Sequence, residues 1–366
     1  MSKYPPIYYS DYLQLDKLLN CQNLKSEEYG HKAHDEMLFI IVHQAYELWF
    51  KQILHEIDSI NQMFTSDTID ERSIGVGVSR LGRISEIQKL LIEQLRVLET
   101  MTPLDFLEFR DFLIPASGFQ SFQFRLIENK LGLSDKKRIK YNNLDYLKTL
   151  EERHRKLIMD TVNSPSTFEL IQRWLERTPF LNYAGFDFWG HYKKAVDKML
   201  EKDRDIIVNN KTLTEGKREF QLKQIDITKQ YFEALFDENK YNDLVEKGER
   251  SFSNKAIHAA LFINLYRDEP ILHMPFMLLN QLVEMDELFT EWRYRHALMV
   301  QRMIGSKIGT GGSSGHQYLT STVDKHRIFT DLFNLSTYLI PRSALPKLPE
   351  ELVSQMDFYY KSRAAN

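Results

Sequence analysis

The sequence predicts an all-α protein, and three observations carry that prediction. Long stretches repeat apolar residues at i, i+3, i+4 and i+7, the pattern of a helix with a buried face. Strand-like alternation bounded by turn pairs is nearly missing. Helix ends carry capping chemistry: Thr102-Pro103-Leu104-Asp105 offers an N-cap, a proline at the first helical position and a first-turn carboxylate. Gly305 follows the longest periodic run, where a C-terminal glycine belongs.

Taken in order, the first long helix is HDEMLFIIVHQAYELWFKQILHEIDSINQMF, residues 34–64. Leu38, Ile41, Ala45, Leu48 and Gln52 trace one stripe; Phe39, Val42, Tyr46 and Phe50 trace another. Two apolar stripes predict a helix buried on most sides. Residues 79–101 form a second helix, and DFLEFRDFL a third that stops at Pro115. The chain breaks after Pro115 and resumes as helix up to Gly132. Further helices are expected over 166–178, 186–200, 217–236 and 253–270, then over 275–305 with Pro275 as first residue, and finally over 328–341. Residues 200–252 are highly charged, with Asn and Gly punctuation, and read as a small helical insertion between core helices. The expected division is therefore 1–199, 200–252 and 253–366.

Composition narrows the function classes. A chain of 366 residues, 43% hydrophobic, can bury a large core. The 23 Phe and 18 Tyr suit broad contact areas and a flat ligand. Forty-eight basic and 51 acidic residues are well mixed, for a net charge of −3. That argues against a nucleic-acid or anionic-membrane surface. One cysteine, Cys21, rules out an intrachain disulfide, a Cys-rich zinc or iron–sulfur site and a CxxCH haem attachment. The N-terminus MSKYPPIYYS lacks the apolar core of a signal peptide. No apolar run is long enough to span a membrane, and a cytoplasmic location is expected.

The segment IGTGGSSG, residues 308–315, invites a phosphate-cradle reading. It has no lysine in the P-loop frame, and a helix rather than a strand precedes it. It misses the dinucleotide fingerprint for the same reasons. A flexible linker is the plain alternative. The third reading is a backbone that approaches a ligand closely, with Thr310 adding a hydroxyl, suited to a small zwitterion.

Three side chains stand out. His296 lies mid-helix with Trp292 one turn before it; a lone helical histidine is either a core residue or an axial haem ligand. His43 shares a face with Phe39, which fits either a satisfied core imidazole or a partner for an aromatic N–H. Its spacing to Glu47 suits a metal, but HExxH is absent, and the Glu151/His154 pair lies on a charged face. Arg110 sits among Phe106, Phe109 and Leu113. Asp105 or Asp111 could satisfy it, or a ligand carboxylate could take its bidentate fork.

Taken together, HDEMLFIIVHQAYELWFKQ, LETMTPLDFLEFRDFLIPASGFQSFQFRLIENKLG, QRWLERTP, LYRDEP, WRYRHALMVQRMIGSKIGTGGSSG and DLFNLSTYLIPR resemble the tryptophan 2,3-dioxygenase family, from about Tyr9 to Arg342. The resemblance implies a dioxygenase with one haem b per subunit. It would insert both atoms of O2 across the indole C2–C3 bond of L-tryptophan, giving N-formylkynurenine, the first step of tryptophan catabolism. It implies His296 as axial iron ligand, with Trp292 and Gly118 against the cofactor. His43 would meet the indole N–H, Phe39 the indole face, Arg110 the carboxylate and Thr310 the head group, with Ser117 and Gly118 as a turn lining the distal pocket. It implies a homotetramer whose N-terminal segment, with Tyr9, Tyr12 and Leu13, completes a neighbour's site. Phe106 and His316 stand where other members often carry different residues. Two alternatives stay open at this point: an indoleamine dioxygenase of broader substrate range, and a non-catalytic haem or tryptophan sensor.

Overall fold

The computed structural model describes residues 4–66, 68–134, 137–139, 147, 150–179, 182–183, 186–310 and 315–357. Helices account for nearly all of its regular structure. The N-terminal part holds α1 (Tyr9–Leu13), α2 (Leu15–Leu18), α3 (Lys25–Glu28), α4 (Glu36–Phe64), α5 (Glu71–Leu98), α6 (Pro103–Leu107) and α7 (Phe122–Leu131). Then come α8 (Glu152–Val162), α9 (Thr167–Glu176), α10 (Phe188–Asn209), α11 (Glu215–Phe236), α12 (Glu238–Glu246) and α13 (Asn254–Leu265). The C-terminal part holds α14 (Pro270–Ile304), α15 (Gly315–Lys325), α16 (Thr330–Asn334) and α17 (Glu350–Met356). The one sheet among the described residues is a two-residue antiparallel pair, Asn182–Tyr183 with Phe186–Asp187.

The centre is a layer of long helices. α14 runs along α5 and α15, while α4 packs on α5 and α7. Val42, Tyr46, Phe50, Ile53, Ile57, Ile60 and Phe64 put one stripe of α4 into this core. The second stripe does not follow it inward. Leu38 packs against the core, but Ile41 and Leu48 of that stripe are 49% and 52% exposed, so the expectation of a helix buried on most sides is corrected. A helix flanked by neighbours on one side only can bury only one of its two apolar stripes.

Other boundaries move for local reasons. The Thr102 capping box forms with Asp105 as expected, but α6 ends at Leu107, and Arg110–Leu113 is a separate 3-10 turn. α14 begins at Pro270 and runs through Pro275. A proline at the first position is favourable, whereas Pro275 forfeits one backbone bond, offset by the buried Leu272, Leu278 and Leu279. α10 continues past residue 200 to Asn209 and forms a hairpin with α11, tied by Arg204 to Asp226 at 3.1 Å. The 328–341 stretch breaks into α16 and a 3-10 turn, Leu335–Tyr338. Its backbone groups are taken by tertiary bonds: Asp286 accepts from Ile328 N and Phe329 N, and the Tyr192 hydroxyl donates to the Tyr338 carbonyl. Gly132 ends α7 at φ +110°, where a Cβ would meet Phe168 Cβ at 2.6 Å, so only glycine fits.

Candidate active site

α4, α7, α14, α15, the 3-10 turn and the loop after α14 enclose one largely apolar cavity of about 280 Å³. Eight of the residues singled out in the sequence line it: Phe39, His43, Arg110, Ser117, Gly118, Trp292, His296 and Thr310. Phe106 lines it as well. Tyr9, Tyr12 and Leu13 do not; they lie on α1, 73%, 71% and 41% exposed. Residues 311–314 of the glycine loop fall outside the described residues, while Gly309, Thr310 and Gly315 are on the wall.

His43 is held by its own helix. Its Nδ1 lies 2.7 Å from the Phe39 carbonyl. A carbonyl only accepts, so Nδ1 carries the proton and Nε2 is left as an acceptor. Burial holds the imidazole below its ordinary pKa, and so neutral. Phe39 packs on it with ring centroids 4.1 Å apart, and Phe106 and Phe109 close the other side of Phe39 at 5.7 and 5.5 Å.

His296 is set by α14. One turn earlier, Trp292 stacks on it at 5.2 Å and 20°, and Phe50 and Phe124 pin the indole in turn. Burial and the neighbouring His43 push the His296 pKa down to about 4. Its Nδ1 is buried, and the ring makes no hydrogen bond among the described residues.

Arg110 opens the 3-10 turn and is half-buried. It donates to the Ile308 carbonyl, which ties this turn to the chain just before Thr310. Its Nε is buried without a partner. Neither aspartate satisfies it: Asp105 accepts from Thr102 N and Oγ1, at 2.8 and 2.6 Å, and no ion pair joins Arg110 to Asp111 among the described residues. Arg110 therefore lines the cavity without a carboxylate partner among the described residues. Ser117 caps the short turn Gly118–Gln120, and a Cβ on Gly118 would meet nothing within 4 Å.

A match to the family model for tryptophan 2,3-dioxygenase spans residues 2–339. The chain belongs to the tryptophan 2,3-dioxygenase family. It is 54% identical over 353 residues to the tryptophan 2,3-dioxygenase of Dictyostelium discoideum, covering 96% of this chain and 88% of that one. With the Bdellovibrio bacteriovorus protein of the same name the identity is 52% over 358 residues, covering 98% and 100%. With the Xenopus laevis tryptophan 2,3-dioxygenase it is 52% over 344 residues, covering 93% and 84%. Membership in this family makes the chain an oxidoreductase of the dioxygenase kind.

The family reading leaves several wall residues unexplained. Arg125, Glu128, Arg293, Tyr318 and His326 also line the cavity and were not singled out in the sequence. The available signal was a charge inside an apolar helix face, Arg125 and Glu128 in FQFRLIENKL and Arg293 three residues before His296. His316 is partly buried and packs back on α14, its Nδ1 3.1 Å from the Ala297 carbonyl. His154 stacks on Phe122 at 4.0 Å and 9°, and no cluster of three His, Cys, Asp or Glu suited to a metal occurs among the described residues.

Proposed function

We propose that this cavity is where the chain carries out its family's reaction, the oxidation of L-tryptophan to N-formylkynurenine. One observation carries the assignment of roles. A histidine with a fixed acceptor nitrogen, a histidine without a hydrogen bond and an arginine without a carboxylate share one apolar cavity. An amino acid bearing an indole N–H and a carboxylate answers the first and the third.

The residues fit haem b. A porphyrin needs a broad apolar wall and one imidazole on a packed helix. His296 supplies an imidazole whose buried Nδ1 has no partner. Gly118 leaves open space where a side chain would stand. His296 would hold the iron, with Trp292 fixing its ring, and one haem per subunit follows. When bound, the haem supplies the binding and activation of O2. Both oxygen atoms enter the product as the indole C2–C3 bond is cleaved, and the four electrons that O2 accepts come from that bond's two carbons.

The chain's own work is placement. His43 Nε2 accepts the indole N–H and Phe39 packs against the ring face. Arg110 takes the carboxylate through its fork, and Thr310 meets the head group. Ser117 and Gly118 let the substrate approach closely on the distal side. The glycine loop excludes water while the ring is oxidised.

A homotetramer completed by the N-terminal segment is part of this reading. It is supported by the exposed apolar side chains of Tyr9, Tyr12 and Leu13 and by the exposed Ile41 and Leu48 on α4. No helix among the described residues is long and apolar enough to cross a membrane, and the proposed location is the cytoplasm.

The test is aerobic turnover of the reduced, haem-loaded protein with L-tryptophan, followed by N-formylkynurenine absorbance. Product establishes the reaction. A haem spectrum without product would turn the reading toward a sensor, and no haem at all would overturn the role of His296.

A further inference from the structure

Behind the aromatic wall, one buried carboxylate serves a crowd. Glu128 is 2% exposed and accepts from Arg125 Nη1 at 2.9 Å, Arg138 Nη1 at 2.8 Å and Arg293 Nη2 at 3.2 Å. His326 adds a fourth donor. Ile139 N–H donates to its Nε2 at 3.1 Å, so the ring proton sits on Nδ1 and points at Glu128 Oε1, 3.1 Å away. The arginines hold the Glu128 carboxyl well below its ordinary range, and the carboxylate is ionised.

Arg293 is the member left short. It is 4% exposed, lines the cavity, and its Nη1 is buried without a hydrogen-bond partner. The other carboxylate near it, Asp286, accepts from Ile328 N and Phe329 N and forms no ion pair with it among the described residues. The faces of Phe124 and Phe289 lie 5.8 and 5.9 Å from its guanidinium carbon. Burying a guanidinium N–H without an acceptor is costly, and the cost falls away if a ligand supplies an anionic oxygen from the cavity side. Arg125 lines the same wall and interacts with Tyr318, which sits one turn into α15, directly after the glycine loop. The cationic wall therefore lies on the side of the cavity that α15 closes.

We propose that Arg293, with Arg125 beside it, is a carboxylate subsite, and that its occupant is a propionate of the porphyrin. The inference rests on the haem reading above. A porphyrin of the b type carries two charged side chains, both carboxylates. Arg110 is the cation for the substrate carboxylate; Arg293, on the same helix as His296 and one turn before it, is the cation for the cofactor's.

Haem retention by the full-length holoprotein tests this. In wild type and Arg293→Gln, ferric haem loss to an excess of a haem-scavenging apoprotein would be timed, and the propionate bending band recorded by resonance Raman. The expected result is loss accelerated about tenfold or more, the size of a charge-assisted bond, with a shifted propionate band and unchanged axial-histidine bands. Reconstituted with haem dimethyl ester, wild type should lose its cofactor as fast as the variant, and the substitution should then have no further effect. Equal loss rates and an unmoved propionate band would overturn the subsite while leaving haem binding intact. An equal penalty with the diester would also overturn it, since the arginine would then act on packing alone. If Arg293→Gln does not accumulate, Arg293→Lys, which keeps the charge and loses the fork, is read by the same band, and an unmoved band overturns the proposal. Wild-type protein that takes up no haem would overturn it together with the reading it rests on.

Discussion

The two ends of the cavity hold their arginines differently. Arg293 lies on the floor, on α14, 4% exposed and bonded to a carboxylate shared with two other arginines. Arg110 lies on a 3-10 turn, and its one hydrogen bond among the described residues is to the Ile308 carbonyl, from a segment 198 residues away. Long packed helices and a buried ionic network cannot shift without breaking many contacts at once. A short turn and a loop tied by one hydrogen bond can. Under the proposed function, the first arrangement suits a resident group and the second a group that is accepted and released.

The largest effect should come from the floor. His296→Ala removes the imidazole that Trp292 stacks on. The purified variant should lack the haem absorption band and turn over no tryptophan; retained haem with full turnover would break the assignment. Next is the turn that carries Arg110. Arg110→Ala should keep its haem yet raise the KM for L-tryptophan about 10- to 100-fold, the size of a lost charged hydrogen bond. Tryptamine, which has no carboxylate, should not discriminate between wild type and variant. If the two substrates suffer equally, Arg110 acts on the fold of its turn and the contrast between the two ends fails.

The long helices were legible because periodicity and capping are local. Thr102, Pro103 and Asp105 marked the start of α6 correctly. The wall residues His43, Arg110, His296 and Thr310 were reachable by chemistry and by resemblance, and they converge on one cavity. What was not legible depends on partners far away in sequence. Periodicity made α4 look buried on most sides, because apolarity does not say whether anything covers Ile41 and Leu48. The Glu128 cluster draws on residues 125, 128, 138, 293 and 326, and no local pattern announces that one carboxylate will serve them all. Pro275 looked like a start because propensity disfavours proline inside a helix; tertiary packing overrode it.

A smaller effect sharpens the division of labour within the cavity. His43→Ala removes the acceptor for the indole N–H and the ring under Phe39. A neutral hydrogen bond is worth about 1 kcal/mol, so kcat/KM for L-tryptophan should fall roughly fivefold, with haem content unchanged. 1-Methyltryptophan, which has no indole N–H, should lose its handicap relative to L-tryptophan in this variant. Complete inactivity with haem in place would give His43 a proton-transfer role beyond orientation.

The smallest effect on activity, and the control for all the others, lies outside both ends. His258 stacks on Trp189 at 3.9 Å and its Nε2 donates to the Leu235 carbonyl at 3.0 Å. Burial pushes its pKa from 6.5 down to about 4. The unfolded chain therefore binds a proton as pH falls through 6.5 while the folded chain does not, and stability is lost between there and about 4. Between pH 7.5 and 5 this one group should cost the fold about 2 kcal/mol. His258→Gln keeps an N–H for Leu235 and cannot take up the proton, so its urea midpoint should fall less over the same pH interval, with turnover at neutral pH unchanged. Identical pH slopes for wild type and variant would mean that the imidazole titrates alike in the folded and unfolded chains, so that burial does not lower its pKa. A loss of turnover would mean that the α10–α13 contact, distant from the cavity wall, reaches the site after all.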